Sequence, residues 1–183
     1  VEEAEKEADF IEIWLDQIKG LKIQQISSIV EMINKPLIVV CKGRREKGKW
    51  TRTEKERVEF LKAALKAGAD YADISIETDE KLIEALKKEG KIIISYHNFK
   101  STPRKSNLEQ LTKKAHELGA DIIKIATLAK TKADNLAVLE IVARLSYESE
   151  KVIGICMGKE GKLSRIHSTE FGGFLMFASL KKA

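Results

Sequence analysis

Lys124 stands inside IIKIAT, an otherwise apolar run, where a lysine is costly unless it is paired or put to chemical use. Burial disfavours its charged form and lowers its pKa, which frees the amine as a nucleophile. The competing reading is an internal ion pair with Glu12 or Asp73, which would hold the amine charged. His97 closes the run KIIISYH, one strand–helix unit before Lys124. Imidazole is the side chain best poised for proton transfer near neutral pH, and a strand-end histidine satisfied by backbone groups is the alternative. An amine beside an imidazole suggests imine chemistry on a carbonyl substrate. The protonated imine is an electron sink that acidifies the adjacent C–H, and the histidine can remove that proton. Such chemistry requires no metal and no organic cofactor.

Two further features fit a small anionic substrate. KGRREKGKWTR forms a basic loop after an apolar run, either at the rim that receives the substrate or as a solvated, mobile segment. GKEGKLSR places Arg165 near the start of a helix, where a guanidinium and helix N-terminal amides suit a carboxylate. An ordinary surface arginine is the competing reading there. His116 and His167 read as surface or packing residues.

These groups need a scaffold, and the periodicity supplies one. Apolar runs predict strands over 9–16, 36–42, 70–76, 91–97, 121–127, 151–157 and 173–179. Amphipathic stretches between them predict helices over 21–34, 54–67, 79–88, 107–118, 134–146 and 163–171. Strict alternation with near-continuous apolar strands argues for parallel βαβ units in one domain over 1–183. An Ala-Asp pair recurs at three helix-to-strand junctions, ending at Asp9, Asp70 and Asp121, about two βα units apart. Three positions beyond each Asp lies a polar residue in an apolar strand: Glu12, Asp73 and Lys124. Alternate strands of a (β/α)8 barrel share interior layers, so these three form one polar layer in a barrel. A doubly wound open sheet is possible but gives no reason for that layer. In this barrel reading His97 and Lys124 are neighbours near the carboxyl ends of consecutive strands, the active face. Seven strands fall one short of eight, which suggests that a first strand and a last helix are missing from the sequence.

The composition is compatible with all of this. The chain has 183 residues, 43% hydrophobic and 33% charged, enough for one domain that buries roughly 70% of its unfolded surface. No apolar run approaches the ~20 residues of a membrane helix, and no secretory signal opens the chain. The net charge of +5 comes mostly from sign-alternating helix faces such as TEKERVEFLKAALK. Two cysteines, Cys41 and Cys156, lie in apolar runs, so a reducing compartment fits better than a disulfide framework. No Cys/His spacing offers a metal site.

The stretches EIWLD, IIISYHNFKSTP, GADIIKIAT, ICMGKEGKLSRI and FGGFLMFASLKKA resemble type I 3-dehydroquinate dehydratase, and the resemblance runs over essentially the whole chain. SYHNF-x-x-TP followed by a KIA lysine is the most specific part. The resemblance implies a (β/α)8 barrel, a cytoplasmic homodimer, and the shikimate-pathway lyase that dehydrates 3-dehydroquinate to 3-dehydroshikimate. It implies that Lys124 is the Schiff-base lysine and His97 the general acid/base. It puts substrate contacts on Glu12, Trp14, Lys42 and Arg165, the last as carboxylate binder, with Glu46, Phe99 and Met157 lining the same pocket. Trp14 and Lys42 stand where the family has arginines, and Ser75 where it has a glutamate. The family's substrate-closing loop is expected just after Ala183. The alternatives are a Schiff-base barrel enzyme for another keto acid, or a catalytically silent paralogue acting as a binding module. Nucleic-acid binding through residues 42–52 has one tryptophan, Trp50, but no recognised motif, and neither nucleic acid nor membrane is expected as a partner.

Overall fold

The computed structural model describes residues 2–178. The chain forms α1 (Glu2–Glu7), β1 (Ile11–Trp14), α2 (Ile26–Glu31), β2 (Leu37–Val40), α3 (Glu54–Lys66), β3 (Tyr71–Ser75) and α4 (Glu80–Lys87). It continues with β4 (Ile92–Asn98), α5 (Lys105–Glu117), β5 (Ile122–Leu128), α6 (Asp134–Tyr147), β6 (Val152–Met157) and α7 (Lys162–His167). The six strands follow one another in the order β1-β2-β3-β4-β5-β6. A doubly wound sheet must reverse its strand order at a switch point, and this one never does. The sequential order is that of a (β/α) barrel. Chain contacts form two compact units. The first holds everything described before Ser75 together with Thr78–Ile93, and the second holds Ser75–Glu77 and everything from Ile94 onward.

In the first unit β1 pairs in parallel with β2, and β2 with β3. All four residues of β2 are buried, as expected of a strand covered on both faces. α3 begins with a reciprocal cap, in which Thr53 Oγ1 accepts the Glu56 amide and Glu56 Oε2 accepts the Thr53 amide. Its buried face, with Val58, Leu61 and Leu65, follows the helical repeat onto the sheet. β1 is shorter than the predicted 9–16 because Leu15–Gln17 turns into a 3-10 helix. Asp16 then accepts the amides of Lys42 and Lys49, each at 2.9 Å. α2 is also shorter than the predicted 21–34. A 3-10 turn occupies Ile23–Gln25, and the Gln25 side chain accepts the Lys22 amide.

The register tests part of the expected polar layer. Glu12 pairs with Ile38, and Ile38 on its other side with Tyr71. Asp73 therefore lies two residues beyond the level of Glu12, on the same face. A barrel of shear eight over eight strands advances about one residue per strand, so that offset is a single layer in a tilted sheet.

In the second unit β5 and β6 pair in parallel over their full length, with Lys124 opposite Ile153 and Leu128 opposite Met157. α6 packs on β6 so closely that a Cβ on Gly154 would sit 2.3 Å from a Val142 methyl. The predicted strand over 173–179 is corrected. Residues 173–178 carry no strand, and Ser179 lies outside the described residues. A 3-10 turn over Ser168–Phe171 and a left-handed Gly172 redirect the chain. The Phe174 amide then makes a 2.7 Å bond to the Val152 carbonyl at the start of β6. Among the described residues, no helix is long and apolar enough to cross a membrane, and no group of three His, Cys, Asp or Glu side chains is placed to hold a metal ion.

Candidate active site

Lys124 is the third residue of β5 and is 6% exposed. The parallel pairing puts its side chain on the same face as Ile153, Ile155 and Met157 of β6, with Met157 toward the carboxyl end. Its Nζ lies 4.3 Å from the centroid of the Phe177 ring. His97 is the penultimate residue of β4, the strand next to β5 in the sheet order. Its imidazole is half-buried and stacks on Phe99, with centroids 5.9 Å apart and planes inclined by 10°. The ring is thus held by an apolar plane on one side.

Arg165 lies on α7, exposed, and its guanidinium reaches back to the Gly158 carbonyl at 3.4 Å. α7 has only six residues, and the amide of Ser164 in its first turn is taken by Asn135 Oδ1 at 3.0 Å.

The first unit carries a different constellation. Lys42 follows β2 directly and is 1% exposed. Its Nζ donates to Asp73 Oδ1 at 2.6 Å and to Glu46 Oε1 at 2.8 Å. Arg57 of α3, also buried, donates to Glu46 Oε2, to Glu54, to the Thr78 hydroxyl and to the Cys41 carbonyl. Two buried cations and three carboxylates therefore form one network at the carboxyl ends of β2 and β3. Trp14, at the end of β1, donates its indole N–H to Glu12 Oε1 at 2.7 Å. Burial, with Asp16 adding to it, pushes the Cys41 thiol up to about 12, so this cysteine stays protonated and unreactive.

The basic segment 42–52 is an ordered loop rather than a mobile one. The Trp50 amide bonds the Lys42 carbonyl, and Gly48 lies against it so tightly that a Cβ there would sit 1.9 Å from the Lys42 oxygen. The Trp50 ring packs edge-on against Phe60, and the Arg52 guanidinium lies 5.4 and 5.3 Å from those two rings. Its single tryptophan is thus spent on internal packing.

Sequence reasoning did not assign roles to Arg57, Asp16 or Phe177. An arginine in the first turns of an amphipathic helix reads as a solvated charge until the helix is docked. Phe177 was legible only as one residue of FGGFLMFASLKKA.

A parallel sheet in sequential barrel order, with a buried lysine on one strand and a histidine near the end of the strand before it, is the build of a (β/α)-barrel enzyme. The family model for type I 3-dehydroquinase matches residues 1–183, and the chain belongs to that family. It is 35% identical over 179 residues to the 3-dehydroquinate dehydratase of Methanocaldococcus jannaschii, covering 95% of this chain and 78% of that relative. Among solved structures it superposes on the type I 3-dehydroquinate dehydratase of Clostridium difficile, determined with covalently modified comenic acid, with a TM-score of 0.87 and 26% identity. That match covers 96% of this chain and 77% of the other. The Aquifex aeolicus 3-dehydroquinate dehydratase gives a TM-score of 0.83 at 28% identity, over 100% and 83% of the two chains.

Proposed function

We propose that this chain is the lyase that dehydrates 3-dehydroquinate to 3-dehydroshikimate, with Lys124 as nucleophile and His97 as general acid/base. The observation that carries the reading is a 6% exposed lysine on β5 beside the strand that ends in His97, in a member of this family. Lys124 Nζ attacks the ketone carbon, and loss of water leaves a protonated imine. His97 takes the adjacent α-proton, and the electron pair moves toward the imine nitrogen. The resulting enamine expels the β-hydroxyl, which leaves as water with the proton that His97 returns. A second water hydrolyses the imine, releasing product and the free amine. The balance is one substrate to one product and one water, with no redox change.

Arg165 supplies the charge for the substrate carboxylate, while Phe99 and Met157 line the apolar side of that reaction space. Glu12, Trp14 and Glu46 keep, within this proposal, the substrate-contact assignment that the family resemblance gives them. For Lys42 the proposal is narrower. At 1% exposure between two carboxylates, it positions Asp73 and Glu46 rather than touching substrate. A single barrel domain, a homodimer and a cytoplasmic setting belong to the same proposal, supported by family membership alone.

Borohydride reduction tests the chemistry. Incubation with 3-dehydroquinate and reduction is expected to leave a mass adduct on the Lys124 peptide, absent from Lys124→Ala. A folded wild-type protein that yields no adduct overturns the assignment. One observation favours a second reading, an imine-forming enzyme for a different keto acid. The Glu12 carboxylate is engaged by Trp14, where the family carries an arginine. A panel of keto acids in the same trapping assay separates the two.

A further inference from the structure

The threonine of the SYHNF-x-x-TP motif has no part in the chemistry above, yet the structure gives it a dense set of contacts. β4 ends at Asn98, whose Oδ1 accepts the amides of Lys100 at 2.9 Å and Ser101 at 3.1 Å, an Asx turn that starts the next loop. Thr102 precedes Pro103, which keeps it out of helical geometry and lets its side chain reach sideways. Its Oγ1 donates to the Leu128 carbonyl at 3.1 Å and lies 2.9 Å from Thr127 Oγ1. A hydroxyl has one proton. With that proton on Leu128, the Thr127 hydroxyl is the donor to Thr102. The Cys156 thiol, 3.8 Å from Thr102 Oγ1 and 3.7 Å from Thr127 Oγ1, donates to the Asp134 carbonyl. Every proton in this buried cluster then has one acceptor.

The cluster lies behind the chemistry. Thr127 is three residues beyond Lys124 on the same strand, so the two side chains leave opposite faces of β5. Thr127 and Cys156 are both fully buried. The loop that Thr102 fastens carries Phe99, and Phe99 carries the His97 ring. A chain of contacts therefore runs from the carboxyl end of the Lys124 strand, through Thr102 and the loop, to the plane of the imidazole.

We propose that Thr102 is a positioning residue, a strap that fastens the His97–Phe99 end of β4 to the end of β5 and so fixes where the imidazole stands relative to the Lys124 strand. The proposal rests on the imine reading above. Thr102→Val keeps the branched shape and deletes the hydroxyl, leaving the Leu128 carbonyl and the Thr127 hydroxyl without it. Misplacement of a proton-transfer group by a fraction of an ångström lowers turnover, so kcat should fall about 10- to 100-fold with KM nearly unmoved. Borohydride capture on Lys124 should still reach the wild-type extent, because the amine is untouched. Amide hydrogen exchange at Lys100 and Ser101 should quicken, a readout that needs no substrate. Thr102→Ser, which restores the hydroxyl, should recover most of kcat. If Thr102→Val does not fold by circular dichroism, Thr127→Val removes the partner hydroxyl and is read in the same way. Unchanged kcat, unchanged exchange, or an equal loss in Thr102→Ser overturns the strap while the wild-type adduct leaves the imine reading standing. Absence of the adduct from wild-type protein overturns the imine reading and the proposal with it.

Discussion

Two lysines are buried on this sheet, Lys42 just after β2 in the first unit and Lys124 within β5 in the second, and the proposed function gives them different tasks. Lys42, 1% exposed, donates to Asp73 and Glu46 at 2.6 and 2.8 Å. Charge-assisted bonds of that length fix the side chain between the two carboxylates. Lys124, 6% exposed, lies 4.3 Å from the face of Phe177. An aromatic face adds about 0.5–2 kcal/mol to the holding of a cation. Burial alone does not make a lysine a nucleophile. In the proposed function Lys42 serves as a positioning cation and Lys124 as the reacting amine.

The strongest way to break this contrast is to remove each amine in turn. Lys124→Met should abolish turnover by at least about 10⁴-fold and eliminate the borohydride adduct. A large loss of stability with residual turnover would place Lys124 in the structural role instead. Lys42→Met should do the reverse. Taking the Lys42 ammonium away from fully buried Asp73 should cost about 3–5 kcal/mol in a denaturant titration, whereas surviving folded protein keeps the Lys124 adduct. A Lys42→Met protein as stable as wild type would show that the network does not anchor the ends of β2 and β3.

Smaller changes sharpen the picture of the first unit. Trp14→Phe deletes the indole donor to Glu12 and should cost about 1 kcal/mol of stability, again without touching the adduct. The last effect, confined to alkaline pH, is expected from Cys41. Its thiol is raised from 9.0 to about 12, so above pH 9 the unfolded chain loses a proton that the folded protein keeps. The stability from this group is complete below 9 and is lost as pH rises toward 12. Denaturant midpoints should therefore fall less steeply above pH 9 in Cys41→Ala than in wild type, and parallel slopes would contradict that burial effect.

Much of the fold was readable because its periods are local. Uninterrupted apolar runs such as LIVV and the Thr53/Glu56 cap announce a buried strand and a helix start from neighbouring residues alone. The strand expected over 173–179 shows the limit. FGGFLMFAS has strand composition, but its ladder depends on what lies beside it, and residues 173–178 instead leave a left-handed Gly172 with a bond from Phe174 to the start of β6. Arg165 shows another limit. Its place near a helix start was legible, but the engagement of the Ser164 amide by Asn135 on another helix was not.

The sequence by itself determined the alternation of strands and helices, the unusual lysine in IIKIAT and the histidine one unit before it. These rest on hydrophobic period and on the cost of a charge in an apolar run, both of which are properties of neighbours along the chain. Only the tertiary structure decided that Lys42 donates to Asp73, that Phe177 lies over Lys124, and that Thr102 reaches Thr127 and Leu128. Ion pairs, ring contacts and hydroxyl bonds act over a few ångströms. Which groups come within that range is set by the pairing of strands and the docking of loops far apart in sequence.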